Sequence, residues 1–376
     1  MSNPLVELHS LGQSVWFDSI SRRLIVSGEL LSLIENDGLR GLTSNPAIFE
    51  KAISGSSDYT QALRALARTG KDAKEIYEAI AIEDIQWVAD LLRPVYDASE
   101  GRDGYVSLEV SPNLASDTSG TVREATRLAA QVDRENLMIK VPGTAAGMPA
   151  IEQLIGDGIN VNVTVLFAVD NYVQAAEAYL GGLEALAAKG GPLGSVSSVA
   201  SFFISRIDSM VDDILEQKAK EGDGAARSAR LLMGKVAIAN AKIAYQAYND
   251  LCQSERWKKL ADKGARTQRL LWGSTSTKNP EYRDVMYVEE LIGPDTVNTM
   301  PEATLKAFRD HGVARATIED NVDGARATMT NLDELDISID EVTAKLQMDA
   351  VRLFEEPFNK LLGEIESQRG AIPKRA

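Results

Sequence analysis

The sequence has one cysteine, Cys252, and two histidines, His9 and His311, in 376 residues. A single thiol excludes an intramolecular disulfide and fits a reducing compartment. So few imidazole and thiolate groups, far apart in the chain, argue against a zinc site. No apolar run approaches the roughly 20 residues that span a bilayer. The opening Met-Ser-Asn-Pro-Leu-Val-Glu lacks the basic and then apolar pattern of a secretory signal. Positive charge is also scarce: 40 Lys and Arg stand against 55 Asp and Glu, a net charge of -15. That balance excludes general nucleic-acid binding and attraction to anionic membranes. An anionic ligand then binds only where arginine and lysine converge locally. The expectation is a soluble, cytoplasmic protein with no metal and no cofactor.

What is present is an ordinary globular composition, 44% hydrophobic and 25% charged. Along the chain, short apolar runs of strand character alternate with helical periodicity. Strands are expected at residues 14–18, 39–43, 105–110, around Lys140 within 137–144, 159–164, 195–199, 269–272 and 296–299. Between them the spacing predicts helices over 30–37 (with Ser27 as a cap), 57–98, 120–132, 145–155, 168–188, 202–217, 225–251, 281–292 and 301–311. Pro46 after Asn45 opens a further helix. Gly190-Gly-Pro-Leu-Gly194 reads as a loop, because the Lys-Ser/Thr ending of a phosphate-binding P-loop is missing.

Eight strand-helix units without hairpin signals predict an α/β fold, a (β/α)8 TIM barrel with helical insertions. An open doubly wound sheet is the competing arrangement. After about residue 313 the chain turns acidic, and residues 338–366 read as a long amphipathic helix interrupted at Pro357. The division expected is a catalytic barrel over 1–315 and a helical C-terminal extension over 316–376 packed on it.

In such a barrel, polar residues at the C-terminal strand ends face one mouth. Lys140, between apolar strand residues and before Pro142-Gly143, is the most telling of them. An ammonium ion there is poorly solvated, which favours the neutral amine that a nucleophile requires. The other strand ends offer Asp18, Thr43, Asn45, Glu109, Asn162, Thr164, Ser201, Thr275 and Lys278. Asn162 and Thr164 share one strand face while Val161, Val163 and Val165 take the other, so alternation places both polar side chains inside the barrel. Two polar groups stacked in an interior must bond to something. An amine, two carboxylates and several hydrogen-bonding groups around one cavity suit carbonyl chemistry through a Schiff base. Arg206, five residues after Ser201 in the first turns of a helix, is placed to meet an anion.

The stretches Trp16-Phe17-Asp18, Leu42 to Pro46, Val106 to Val110, Met138 to Pro142, Asn162-Val163-Thr164, Ser201 to Arg206 and Trp272 to Thr275 together resemble the transaldolases, in the family's order. Lys278-Asn-Pro-Glu-Tyr282 and Asn298-Thr-Met-Pro301 are similar to the longer-chain branch. The resemblance implies a Schiff-base aldolase of the non-oxidative pentose phosphate pathway. In it Lys140 would bond to a ketose donor, sedoheptulose 7-phosphate or fructose 6-phosphate. Asp18 would take the C4 hydroxyl proton, and Glu109 would assist dehydration through a water. Thr43, Asn45, Asn162, Thr164 and Ser201 would hold the dihydroxyacetone unit, with Phe203 and Thr275 also lining the site. Arg206 and Lys278 would meet the phosphate, although shorter family members carry an arginine near Lys278. The acceptor would be glyceraldehyde 3-phosphate or erythrose 4-phosphate.

Two other readings stand beside this one. A fructose-6-phosphate aldolase would release dihydroxyacetone, but those relatives carry glutamine at Glu109 and tyrosine at Phe203. A catalytically silent sugar-phosphate-binding barrel would keep the cations and lose the proton-transfer groups. Monomer and homodimer both stay open.

Overall fold

The computed structural model describes residues 3–370. Eight parallel strands close into a barrel in chain order: β1 (Gln13–Asp18), β2 (Gly41–Thr43), β3 (Tyr105–Glu109), β4 (Leu137–Pro142), β5 (Val161–Leu166), β6 (Ser198–Phe203), β7 (Arg269–Gly273) and β8 (Thr296–Met300). Closure is made by β1 against β8, with Gln13 opposite Thr296 and Phe17 opposite Met300. The open doubly wound sheet is thereby excluded. Among the described residues no helix is long and apolar enough to cross a membrane.

Strand alternation sorts the side chains into two environments. Outward residues such as Phe17, Leu42, Val106, Ile139, Val163 and Phe202 join the main core under the helices. Inward residues Trp16, Tyr105, Met138, Val199, Leu271 and Val297 form a separate buried cluster, the floor of the barrel. One step further along the same faces come Asp18, Ser107, Lys140, Ser201 and Thr299, so the polar layer lies directly above an apolar plug. Below the floor, Arg269 donates to Asp103 Oδ1 at 2.9 Å and to Ser14 Oγ at 2.8 Å.

Several expected boundaries move. The strand expected at 195–199 runs instead from Ser198 to Phe203, and the following helix spans Ser205–Lys218. Phe202 and Phe203 form a strand end because both faces of a barrel strand are buried, which removes the alternation that marks a strand in sequence. The helix expected over 57–98 breaks after Ala67, passes Gly70 at φ +83°, and restarts at Ala73 under an Asp72–Glu75 capping box. The helix expected over 225–251 is split into Asp223–Leu232 and Val236–Gln253 by Gly234 at φ +69°. Both glycines take a left-handed conformation that other residues rarely adopt.

Between β7 and β8 only Met286–Glu289 is helical, because the preceding loop spends its polar groups on local turns such as Glu281 N to Asn279 Oδ1 at 2.9 Å. The second helix after β1 is capped by Gly28 and not by Ser27, whose hydroxyl instead accepts from Glu29 N. The C-terminal helix, Ile339–Gly370, runs through Pro357 without interruption. It lies across the helices Pro46–Ser54 and Ala73–Ala98. Phe358 packs edge-on against Tyr77, with ring centroids 5.3 Å apart.

Candidate active site

Lys140 stands near the C-terminal end of β4, with its side chain only 5% exposed. Its Nζ donates to the Ser44 carbonyl at 3.0 Å and lies 3.3 Å from Glu109 Oε2 on the neighbouring strand. The Ser44 backbone is itself tied down, since Ser44 Oγ donates to Ser107 O at 2.7 Å. Glu109 is buried, and neither of its carboxylate oxygens accepts a well-directed hydrogen bond from a described residue. Burial pushes its carboxyl above the ordinary range, against the pull of the Lys140 charge.

Asp18 closes β1 and accepts from Thr43 Oγ1 at 2.7 Å. Thr43 also shares a 2.7 Å hydrogen bond with Thr299 of β8, so three strands converge on this carboxylate. Crowding by protein raises the Asp18 carboxyl, opposed by Lys140, by the Thr43 hydrogen bond and by Lys278. On the other flank of Lys140, Asn162 Nδ2 donates to Ser107 Oγ at 3.1 Å and its Oδ1 accepts from Ser201 Oγ at 2.6 Å. Thr164, one step above Asn162 on the same face, is buried with its hydroxyl unpartnered. Unsatisfied buried polar groups are uncommon, and the Glu109 carboxylate and the Thr164 hydroxyl are two of them on the strands next to β4.

Asn45 caps the Pro46–Ser54 helix through its Oδ1, which accepts from Ile48 N at 2.9 Å, and its amide nitrogen donates to no described residue. Phe203 ends β6 at the mouth and packs edge-on to Phe167. Arg206, in the first turn of the Ser205–Lys218 helix, has no ion-pair or hydrogen-bond partner among the described residues, and burial lowers its pKa. Lys278 donates to Ser276 Oγ at 2.7 Å. Its pKa is lowered by burial and then by the nearby Arg206 charge, against the opposing pull of Asp18, which places two cations in one neighbourhood. Thr275 is not drawn into this group: its hydroxyl donates to Asn298 Oδ1 at 3.0 Å, on the β8 face opposite Thr299.

Sequence reasoning overlooked Ser44, Ser107 and Thr299. Ser107 was accessible to it, because it lies two residues before Glu109 and therefore on the same strand face. Ser44 acts through its carbonyl, which no side-chain pattern reveals. Among the described residues no group of three or more His, Cys, Asp or Glu is placed to hold a metal ion.

A dry lysine flanked by two carboxylates at the mouth of a (β/α)8 barrel is the equipment of an enzyme that handles carbonyl compounds through an amine. Residues 15–365 match the family Transaldolase/Fructose-6-phosphate aldolase, and the chain belongs to that family. It is 50% identical over 372 residues to a protein named "Transaldolase" from Trichodesmium erythraeum, covering 98% of each chain. It is equally similar, at 50% and 98% coverage of both, to "Transaldolase 2" of Nostoc punctiforme. A "Transaldolase" of Parafrankia is 49% identical over 99% of each chain.

Proposed function

We propose that this protein is a transaldolase, moving a dihydroxyacetone unit from sedoheptulose 7-phosphate or fructose 6-phosphate to an aldose phosphate. The observation that carries the assignment of roles is the 3.3 Å approach of Glu109 Oε2 to Lys140 Nζ, with Asp18 on the same rim.

The Lys140 amine adds to the keto carbon of the donor, and the carbinolamine loses water to give an iminium. Glu109, whose raised pKa suits it to hold a proton, delivers that proton to the departing hydroxyl. Asp18 removes the proton of the C4 hydroxyl, the C3–C4 bond breaks, and its electron pair moves into the iminium to leave an enamine. The first aldose phosphate departs. The enamine then attacks the aldehyde of glyceraldehyde 3-phosphate or erythrose 4-phosphate, Asp18 returns its proton, and water frees the new ketose from Lys140. Asn45, Asn162, Thr164, Ser201 and Phe203 hold the three-carbon unit, while Arg206 and Lys278 take the phosphate. A cytoplasmic location fits the single cysteine.

Borohydride reduction in the presence of fructose 6-phosphate tests this reading. The expected result is a covalent adduct that peptide mapping places on Lys140, absent from Lys140→Ala. An adduct elsewhere overturns the assignment. Free dihydroxyacetone formed without acceptor, as fast as transfer, would instead favour the aldolase reading.

A further inference from the structure

Gln347 belongs to the C-terminal helix, outside the eight strand-helix units. Its Nε2 donates to two backbone carbonyls, Gly143 O at 3.0 Å and Val165 O at 3.2 Å. Those carbonyls lie at the C-terminal ends of adjacent strands, Gly143 just past β4 with Lys140 and Val165 directly after Thr164 in β5. A backbone bond, Gly143 N to Thr164 O at 2.8 Å, joins the same two ends.

β5 is irregular here. Its register with β6 shifts between Val163 and Leu166, and Val165 sits at φ +55°. A β-branched residue holds a left-handed conformation only where its surroundings impose it, and such backbone concentrates at functional sites. This irregularity directly follows Thr164, whose hydroxyl is buried without a partner among the described residues.

The helix does not depend on Gln347 for its docking. Leu346, Ala350, Phe354 and Phe358 are buried along it, and Lys360 pairs with Glu50 at 2.5 Å. Among the described residues the amide nitrogen bonds only to these two strand ends. We infer that Gln347 is a positioning residue of the reaction: it clasps the Gly143 and Val165 carbonyls, holds the β5 bulge, and so sets the inward-facing Thr164 hydroxyl on the strand next to Lys140. This rests on the role proposed above for Thr164 and Lys140.

The test is a double-mutant cycle on the full chain, with Gln347→Met, Thr164→Val and the double variant assayed for transfer from fructose 6-phosphate to erythrose 4-phosphate. Misplacement of a working group by about 1 Å costs up to about 100-fold in rate, so Gln347→Met should lower kcat about tenfold. The donor KM should change less than kcat, since the proposed phosphate contacts of Arg206 and Lys278 stay in place. In the Thr164→Val background the same substitution should cost less than about twofold, because coupled residues are non-additive. Unchanged kcat in Gln347→Met, or an equal loss in both backgrounds, overturns the inference.

Should Gln347→Met fail to fold, Gln347→Glu decides. It keeps the side-chain length but cannot donate when ionised, so it should lose a similar fraction of kcat at neutral pH and recover relative to the parent as pH falls. Activity equal to the parent at neutral pH overturns the inference. Borohydride trapping of the unsubstituted enzyme is run alongside. No adduct there defeats the Schiff-base reading itself, whereas a trapped adduct with unaffected Gln347 variants defeats only the role of Gln347.

Discussion

Glu109 and Lys140 face each other from paired positions on β3 and β4, 3.3 Å apart, with side chains 2% and 5% exposed. Such a pair is costly to bury, and breaking it leaves the other charge uncompensated. Glu109→Gln removes the proposed proton carrier while keeping shape. The expected outcome is a kcat lower by about 100-fold or more, the usual scale for losing general acid-base assistance. Rapid-quench borohydride trapping should show the adduct forming correspondingly more slowly.

In the proposed reaction Asp18 must be ionised to accept the C4 hydroxyl proton. Its pKa is raised above the ordinary 3.8, chiefly by burial. The acid limb of the kcat profile should therefore lie above that value, with activity falling as pH drops through the raised pKa. Asp18→Asn should lose about 100-fold in kcat and lose that limb. A profile of fructose 6-phosphate turnover against pH for both proteins checks this.

Arg206 has no hydrogen-bond or ion-pair partner among the described residues, and the Lys278 pKa is lowered partly by its charge. An anion between them relieves that repulsion. A hydrogen bond to a charged group contributes about 1.5–3 kcal/mol. Arg206→Ala should then raise the KM for phosphorylated donors by about 10- to 100-fold with a smaller change in kcat. Inhibition by inorganic phosphate should weaken in parallel.

Asp208, away from the lysine, accepts from Ala237 N at 2.7 Å and from Tyr287 Oη at 2.9 Å. Burial, with Asp212 nearby, pushes its carboxyl up to about 7. The folded state therefore holds this proton more tightly than the unfolded chain, where the ordinary value is 3.8. Its stabilising contribution is full below that unfolded value and is lost as pH rises towards 7, at most on the order of 4 kcal/mol. Denaturant midpoints measured at pH 5 and pH 8 should differ less in Asp208→Asn than in the parent.

The inward faces of the strands were legible because alternation is a local property of the backbone. Asn162 and Thr164 against Val161, Val163 and Val165 needed no knowledge of the rest of the chain. Where both faces of a strand end are apolar, as at Phe202 and Phe203, that signal disappears and the boundary moved. The helix breaks at Gly70 and Gly234 were missed because a single glycine inside a helical pattern is often tolerated.

By itself the sequence determined the alternation of strands and helices, the side of each strand that carries polar groups, and the lysine and carboxylates at the strand ends. These follow from periods of two and of 3.6 residues, which are properties of neighbouring peptide units. Only the tertiary structure decided that β8 returns to β1, that Thr299 steadies Thr43 beside Asp18, and that Gln347 reaches the ends of β4 and β5. Those contacts join residues hundreds of positions apart. Packing selects them when the whole barrel closes, and no local pattern encodes them.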